Sequence, residues 1–251
     1  MLSARAFVLP AALLPGTAAA ADGAAPAWLL LWQWTPAIAS GFLMNVLISV
    51  AAMLLASLLG LAVGLGQLSG LAPWRRACHF LTHFFRNAPW LVVLFYCMLL
   101  LPFQLRLFGV ALPFPDWAKA ILGIAIGAAA NVSEIVRGAV QSIPPGQWES
   151  AESLGFSRRQ TVWLIVLPQC LRRMLPSWMN LYALVVVSTP LCNIVGVHEV
   201  MSVAGELLAN QDRHDLLLPV YGYLLLWFFA YCYPIARLTR LLERRPAPSL
   251  P

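Results

Sequence analysis

Between residues 23 and 74 the chain carries no Asp, Glu, Lys or Arg, and the stretch 41–68 within it is almost wholly apolar. Such a run exceeds the roughly 20 residues that a helix needs to cross the hydrocarbon core of a bilayer. Lipid offers no partner for backbone N–H and C=O groups, so the segment must satisfy them internally as a helix. The rest of the chain has the same character: 61% of residues are hydrophobic, 10% are charged, and the mean hydropathy is +0.77. Further apolar blocks fall at about 88–105, 117–136, 175–197 and 216–236, with the charges gathered between them. No strand-like alternation competes with these blocks. The fold class expected is an all-α membrane protein, a five-span transmembrane helical bundle occupying residues 22–245 and followed by a short tail at 246–251.

The first residues hold one basic group, Arg5, a short apolar run broken by Pro10 and Pro15, and the small-residue sequence Ala19-Ala20-Ala21. Residues 1–21 therefore read as a cleavable signal peptide or a disordered N-terminal tail, too short to be a span. Basic residues set the orientation. Arg75, Arg76, Arg86, Arg137, Arg158, Arg159, Arg172, Arg173, Arg237, Arg240, Arg244 and Arg245 fall on one side of the expected spans, whereas Arg5, Arg106, Lys119 and Arg213 fall on the other. Cytoplasmic loops hold the excess of positive charge, which predicts an N-terminus outside and a C-terminus inside the cell. The same clustering beside apolar blocks, without interleaved aromatics, argues for membrane orientation and against nucleic acid as a partner.

The five cysteines, Cys78, Cys97, Cys170, Cys192 and Cys232, stand singly and read as small core residues. His79 and His83 share a helix face but have no third ligand in view, so no metal is expected, and they sit best on an interfacial helix with Phe80, Phe84 and Phe85 at the lipid boundary. Two small-xxx-small pairs, Gly60 with Gly64 and Gly123 with Gly127, predict close helix packing. Glu134 and Arg137 stand three apart on one face of the third span, which suits a structural ion pair or a polar lining of the path.

The most informative segment is the loop at 141–168, Q-S-I-P-P-G-Q-W-E-S-A-E-S-L-G-F-S-R-R-Q-T-V-W-L-I-V-L-P. Pro144 and Pro145 suit a helix start, and residues 147–154 make about two turns with Trp148, Ala151 and Leu154 at helical spacing. Gly155 can take the left-handed conformation that ends a helix. Ser157 and Gln160 form the S-x-x-Q capping-box pattern that opens a second helix running to Pro168. A long loop with its own order is suited to docking a partner.

Glu149-Ser150-Ala151, Gly155 and Ile165-Val166-Leu167-Pro168 together resemble the EAA signature of binding-protein-dependent ABC importer permeases, with matching spacing and Ser150 in place of the usual Ala. Arg86-Asn87-Ala88-Pro89 is similar to the R-G-T-P of the polar amino acid branch, and Glu134-Ile135-Val136-Arg137-Gly138 to its E-I-x-R-G. The resemblance covers about residues 40–245. It implies the type I importer fold, transport of a polar amino acid, and a coupling helix that docks an ATPase subunit through Trp148, Glu149, Ser150, Ala151, Leu154, Gly155, Ile165, Leu167 and Pro168. It also implies a second permease subunit, identical or different, and a periplasmic solute-binding protein, in the bacterial inner membrane with lipid as solvent. No cofactor is expected. The branch often reads K-D-T-S-L in span four, whereas this chain has Val187-Ser188-Thr189-Pro190-Leu191, which leaves its contact with solute open.

Three rival readings fit less well. A membrane-embedded enzyme would need an ionisable constellation within the spans, and only Lys119 and Glu134 lie there, near the ends. The chain's one lysine, Lys119, stands in W-A-K-A, so these 251 residues contain no GxxxxGK[ST] loop and ATP must be hydrolysed by a separate subunit. An ion-coupled carrier would more typically show repeated halves with broken helices. An ABC importer permease for a different small solute is the nearest alternative.

Overall fold

The structure, a computed structural model, describes residues 25–107 and 110–243, and of 105–107 and 110–112 the backbone course only. The leader expected at 1–21 and the tail at 246–251 lie outside the described residues. Among the described residues four helical segments are long and apolar enough to cross a membrane, and a fifth span is formed if one sharply bent pair is counted together.

The first helix, α1 (Ala27–Gln67), has 41 residues, so it is about 60 Å long at 1.5 Å per residue. It begins well before the expected span at 41–68. The reason is tertiary: Leu30, Trp34, Ile38 and Phe42 are buried against Val200, Val203, Leu216 and Val220 from the far end of the chain. That packed face holds the added turns in helix despite Pro36.

Span two departs most from expectation. In place of one helix over 88–105 there are α2 (Ala72–Asn87) and α3 (Trp90–Leu100), which meet at 104°. Pro89 causes the break, because its ring disfavours helical geometry in the preceding residue and Ala88 is extended (ψ 133°). Beyond α3 the chain forms an antiparallel hairpin, β1 (Gln104–Leu107) and β2 (Val110–Pro113), with Gln104 opposite Pro113. Two four-residue strands are too short for alternation to stand out in an apolar sequence, which is why no strand was expected there.

Span three is α4 (Asp116–Gln141), the hub of the bundle. Its side chains Ile124, Ala128 and Val132 join Ile48, Ala52 and Ala56 of α1 and Leu94 of α3 in the largest apolar core. A Cβ at position 60 would come within 2.5 Å of the Val132 Cβ and 2.7 Å of the Ala129 carbonyl oxygen, so α1 and α4 approach as closely as they do because Gly60 has no side chain. Lys119 is fully buried, its Nζ 3.3 Å from Asp116 Oδ1 and 3.6 Å from the Phe103 ring centroid, and these two contacts reduce the cost of burying a cation whose Nζ makes no hydrogen bond among the described residues.

After α4 come α5 (Pro145–Ser153), the one-turn α6 (Arg158–Gln160), a π-helical turn (Thr161–Val166) and α7 (Leu167–Ser188). The second helix of the loop thus passes through Pro168 and becomes span four. Proline cannot donate to the preceding turn and its ring crowds the carbonyl four residues back. The wider turn, in which Leu167 N–H donates to the Val162 carbonyl, takes up that mismatch. Then follow α8 (Leu191–Ile194), α9 (Val200–Gln211), a short 3₁₀ turn (His214–Leu216) and α10 (Leu217–Glu243), the last span. Between spans four and five, α9 packs its buried side on α1.

Candidate functional site

The loop joining α4 to α7 is ordered at both ends. Pro145 opens α5, and Gly155 closes it with φ +79°. Gly155 N–H donates to the Glu152 carbonyl at 2.9 Å and Phe156 N–H to the Ala151 carbonyl at 3.0 Å, the paired bonds of a Schellman ending. Two residues on, the Ser157 hydroxyl accepts from Gln160 N–H while the Gln160 side chain accepts from Ser157 N–H at 2.9 Å, completing the capping box.

The bundle grips α5 from one side. Ala151 is 1% exposed, and Trp148 packs on a small core of Ala139, Ile143, Val166 and Cys170. Gln169 donates to the Gln147 side chain at 3.2 Å, and Arg173 donates to the Ser142 carbonyl and hydroxyl at 2.7 and 3.0 Å. The helix is therefore fastened to the end of α4 and the start of α7 together. Its other side is free: Glu149, Ser150 and Leu154 are exposed, Leu154 by 74%. The EAA positions thus divide. Trp148 and Ala151 hold the helix in place, and Glu149, Ser150 and Leu154 form its outward face. Ile165 and Leu167 are half-buried, and Ile165 and Pro168 line a shallow groove with Leu164, Gln169 and Arg172 beside α5.

Glu134 and Arg137 form a two-pronged pair, Nε to Oε1 at 3.1 Å and Nη2 to Oε2 at 2.7 Å. Arg137 also donates to Gln141 at 2.7 Å, and Arg86, at the end of α2, stands 3.6 Å from the same carboxylate. The two motif fragments around Arg86 and Glu134 thus meet in space, tying the broken span to α4.

Sequence reasoning missed a second polar assembly. Asn45, in the middle of α1, donates to Glu199 Oε2 at 2.6 Å and to the Thr189 hydroxyl at 3.0 Å, and its carbonyl accepts from Val200 N–H at 3.1 Å. Glu199 also caps α9 by accepting from Met201 N–H at 2.8 Å, and all three side chains are fully buried. An ionisable group therefore does lie within the bundle, at the corner where span four ends. The signal was present: an Asn in an otherwise apolar run, and a Glu at the head of a later helix. In the same corner Val187 is 51% exposed and Thr189 turns inward, so the Val-Ser-Thr-Pro-Leu stretch shows an apolar side chain to the surroundings.

At the opposite end of the bundle from the loop, Arg213 donates to Asp215 at 2.6 and 3.1 Å and to the Ala25 carbonyl at 2.8 Å. The guanidinium holds the Asp215 carboxyl below its ordinary range. No group of three or more His, Cys, Asp or Glu side chains that could hold a metal occurs among the described residues, and His79 and His83 stack at 6.3 Å as a pair alone.

Residues 72–246 match the family model described as "Binding-protein-dependent transport system inner membrane component". A "Probable amino-acid ABC transporter permease protein" of Sinorhizobium fredii is 32% identical over 183 residues, 72% of this chain and 75% of that protein. The L-cystine transport system permease protein of Bacillus subtilis is 27% identical over 89% of this chain and 92% of its own, and the glutamine transport system permease protein of Escherichia coli 28% over 87% and 96%. In fold, the chain is similar to the solved structure of "an amino acid ABC transporter with histidines", with a TM-score of 0.73 at 23% identity, covering 86% of this chain and 97% of that one.

Proposed function

The chain belongs to the family of binding-protein-dependent transport system inner membrane components, and from that premise we propose that it forms, with a second permease subunit, the path by which a polar amino acid enters the cell. As a member of that family it is a multi-pass inner-membrane permease of an ABC importer and is not itself the ATPase. The substrate class rests on the names of its relatives, which are amino acid permeases. The finer assignment concerns the loop. α5 docks the ATPase subunit through Glu149, Ser150 and Leu154, with the adjoining groove at Ile165 and Pro168 receiving the edge of the same partner.

One observation supports the docking role: α5 is held on its inner side by Trp148, packed on Ala139 of α4 and Cys170 of α7, and by the Gln147–Gln169 bond, yet presents an uncovered outer side. A helix so mounted transmits displacement of a docked partner to two spans without bending. In this orientation the loop and the C-terminus face the cytoplasm and the start of α1 faces outside, as the distribution of arginines requires. Cross-linking tests the assignment. A photoreactive residue at Leu154 or Glu149 is expected to trap the ATPase subunit in the assembled transporter, and one at Ala151 is expected to trap nothing. Absence of ATPase adducts at both exposed positions removes the docking role. Uptake of radiolabelled polar amino acids by cells carrying the whole importer tests the substrate class, with a null result across the set pointing to another small solute.

A further inference from the structure

The helix α2 divides into three sectors. At about 100° per residue, Cys78 and Thr82 face the bundle, where both are buried and Thr82 bonds Gln67 and Ser133 at 2.9 Å each. A second sector carries Phe80, Leu81 and Phe84, which are 67%, 44% and 57% exposed. The third carries Arg75, Arg76, His79, His83 and Arg86. The 16 residues of α2 include no Asp or Glu. Arg86 is engaged with Glu134, whereas among the described residues neither Arg75 nor Arg76 has a carboxylate within ion-pairing distance.

Since α2 meets α3 at 104°, and α3 enters the bilayer, α2 lies along the membrane surface. A helix in that position has its bundle side filled, its apolar side at the depth of the acyl chains and its basic side at the level of the headgroups. We propose that α2 is a binding site for anionic phospholipid of the leaflet on the arginine-rich side, with Arg75 and Arg76 holding the phosphate of the headgroup and Phe80 and Phe84 lying against its acyl chains. Charge complementarity selects this occupant. A protein partner on the same face would have to cover aromatic side chains at membrane depth, whereas a lipid meets both sectors at once. The inference rests on the family's membrane location and not on the docking role of α5.

The test uses the whole importer, permeases and ATPase together, in nanodiscs of phosphatidylcholine mixed with phosphatidylglycerol. A photoactivatable analogue of one lipid or the other is added, and the adducts on α2 are mapped by mass spectrometry. Phosphatidylglycerol is expected to label α2 in preference to phosphatidylcholine. Each arginine contributes roughly fivefold to that preference at low salt. Arg75→Gln with Arg76→Gln should bring the two lipids level, and Phe80→Ser with Phe84→Ser should reduce labelling by both. If the arginine variant fails to assemble, the salt dependence of the wild-type preference decides, because a headgroup contact near the surface weakens as salt rises. Equal labelling by the two lipids in the wild type overturns the inference, as does a preference untouched by the arginine changes and by salt. Adducts of α2 with another subunit in place of lipid also overturn it. Retention of the ATPase is scored in the same samples, so equal labelling by the two lipids in the wild type with normal retention sinks this inference and leaves the proposed coupling role standing.

Discussion

Replacing Gly155 by valine isolates the geometry of the loop between α4 and α7, the proposed coupling element, from everything else in the molecule. A Cβ at this position meets nothing within 4 Å, so a side chain begins in open space and the effect to work out is conformational. Holding φ at +79° costs an L-residue about 1–2 kcal/mol, with a β-branched one at the upper end. The backbone can escape by leaving the left-handed region, but it then gives up the two Schellman bonds, at about 0.5–1.5 kcal/mol each. The two costs are of similar size. Valine therefore populates both arrangements, and in the escaped one residues 154–156 no longer lead from α5 into the capping box. Asparagine tolerates the left-handed region and alanine less so, which predicts the order Gly, Asn, Ala, Val for retention of the ATPase subunit. Co-purification in detergent and radiolabelled uptake in the same strain provide the measurement, with thermal unfolding of the permease as the control that the spans are unchanged. Normal retention and normal uptake in Gly155→Val would refute the reasoning, and so would a series in which asparagine is worse than valine.

Further outcomes follow from other parts of the bundle. Asn45→Leu leaves Glu199 and Val200 N–H short of a buried partner and should cost about 2 kcal/mol or more, read as a lowered unfolding temperature in detergent; an unchanged temperature would show that the corner does not depend on this clamp. Gly60→Leu drives a side chain into Val132 and the Ala129 carbonyl, and the expected result is loss of folded permease from the membrane on an immunoblot, with Gly70→Leu, which meets nothing within 4 Å, as the tolerated control. Cytoplasmic reporter fusions are expected to be active after Gln147 and Leu250 and silent after Leu112 and Asn210; activity at Asn210 would reverse the proposed orientation.

The parts of this molecule that the sequence made legible are those governed by local chemistry. The apolar runs, the positive φ at Gly155, the capping box at Ser157 and the close approach of Gly60 to α4 each follow from residues within one or two turns. The parts that were not legible depend on the bundle as a whole. The helix α1 begins at Ala27 and not near residue 41 because α9 and α10 cover its first turns. Span two is broken because Pro89 forces a corner that α2 then fills from the side. Glu199 escaped notice because its side-chain partner, Asn45, lies 154 residues away in the chain, and only folding brings the two within hydrogen-bonding range. The EAA positions were identified as one group, yet their division into gripping and outward-facing residues depends on which way α5 rolls against α4 and α7.

The π-helical turn at Thr161–Val166 also sets a phase. One residue more per turn than an α-helix rotates everything before it by about 100° relative to everything after it. The residues of this segment that meet α5, Val166, Gln169 and Cys170, lie at the end of the turn or after it and keep step with α7, whereas α6 and its capping box lie before it. Removing one residue from it would leave span four in place, shorten the spacing between Gly155 and Pro168, and turn the segment before it by about 100°, so the insertion itself, and not any particular side chain, sets how α6 is aimed relative to span four.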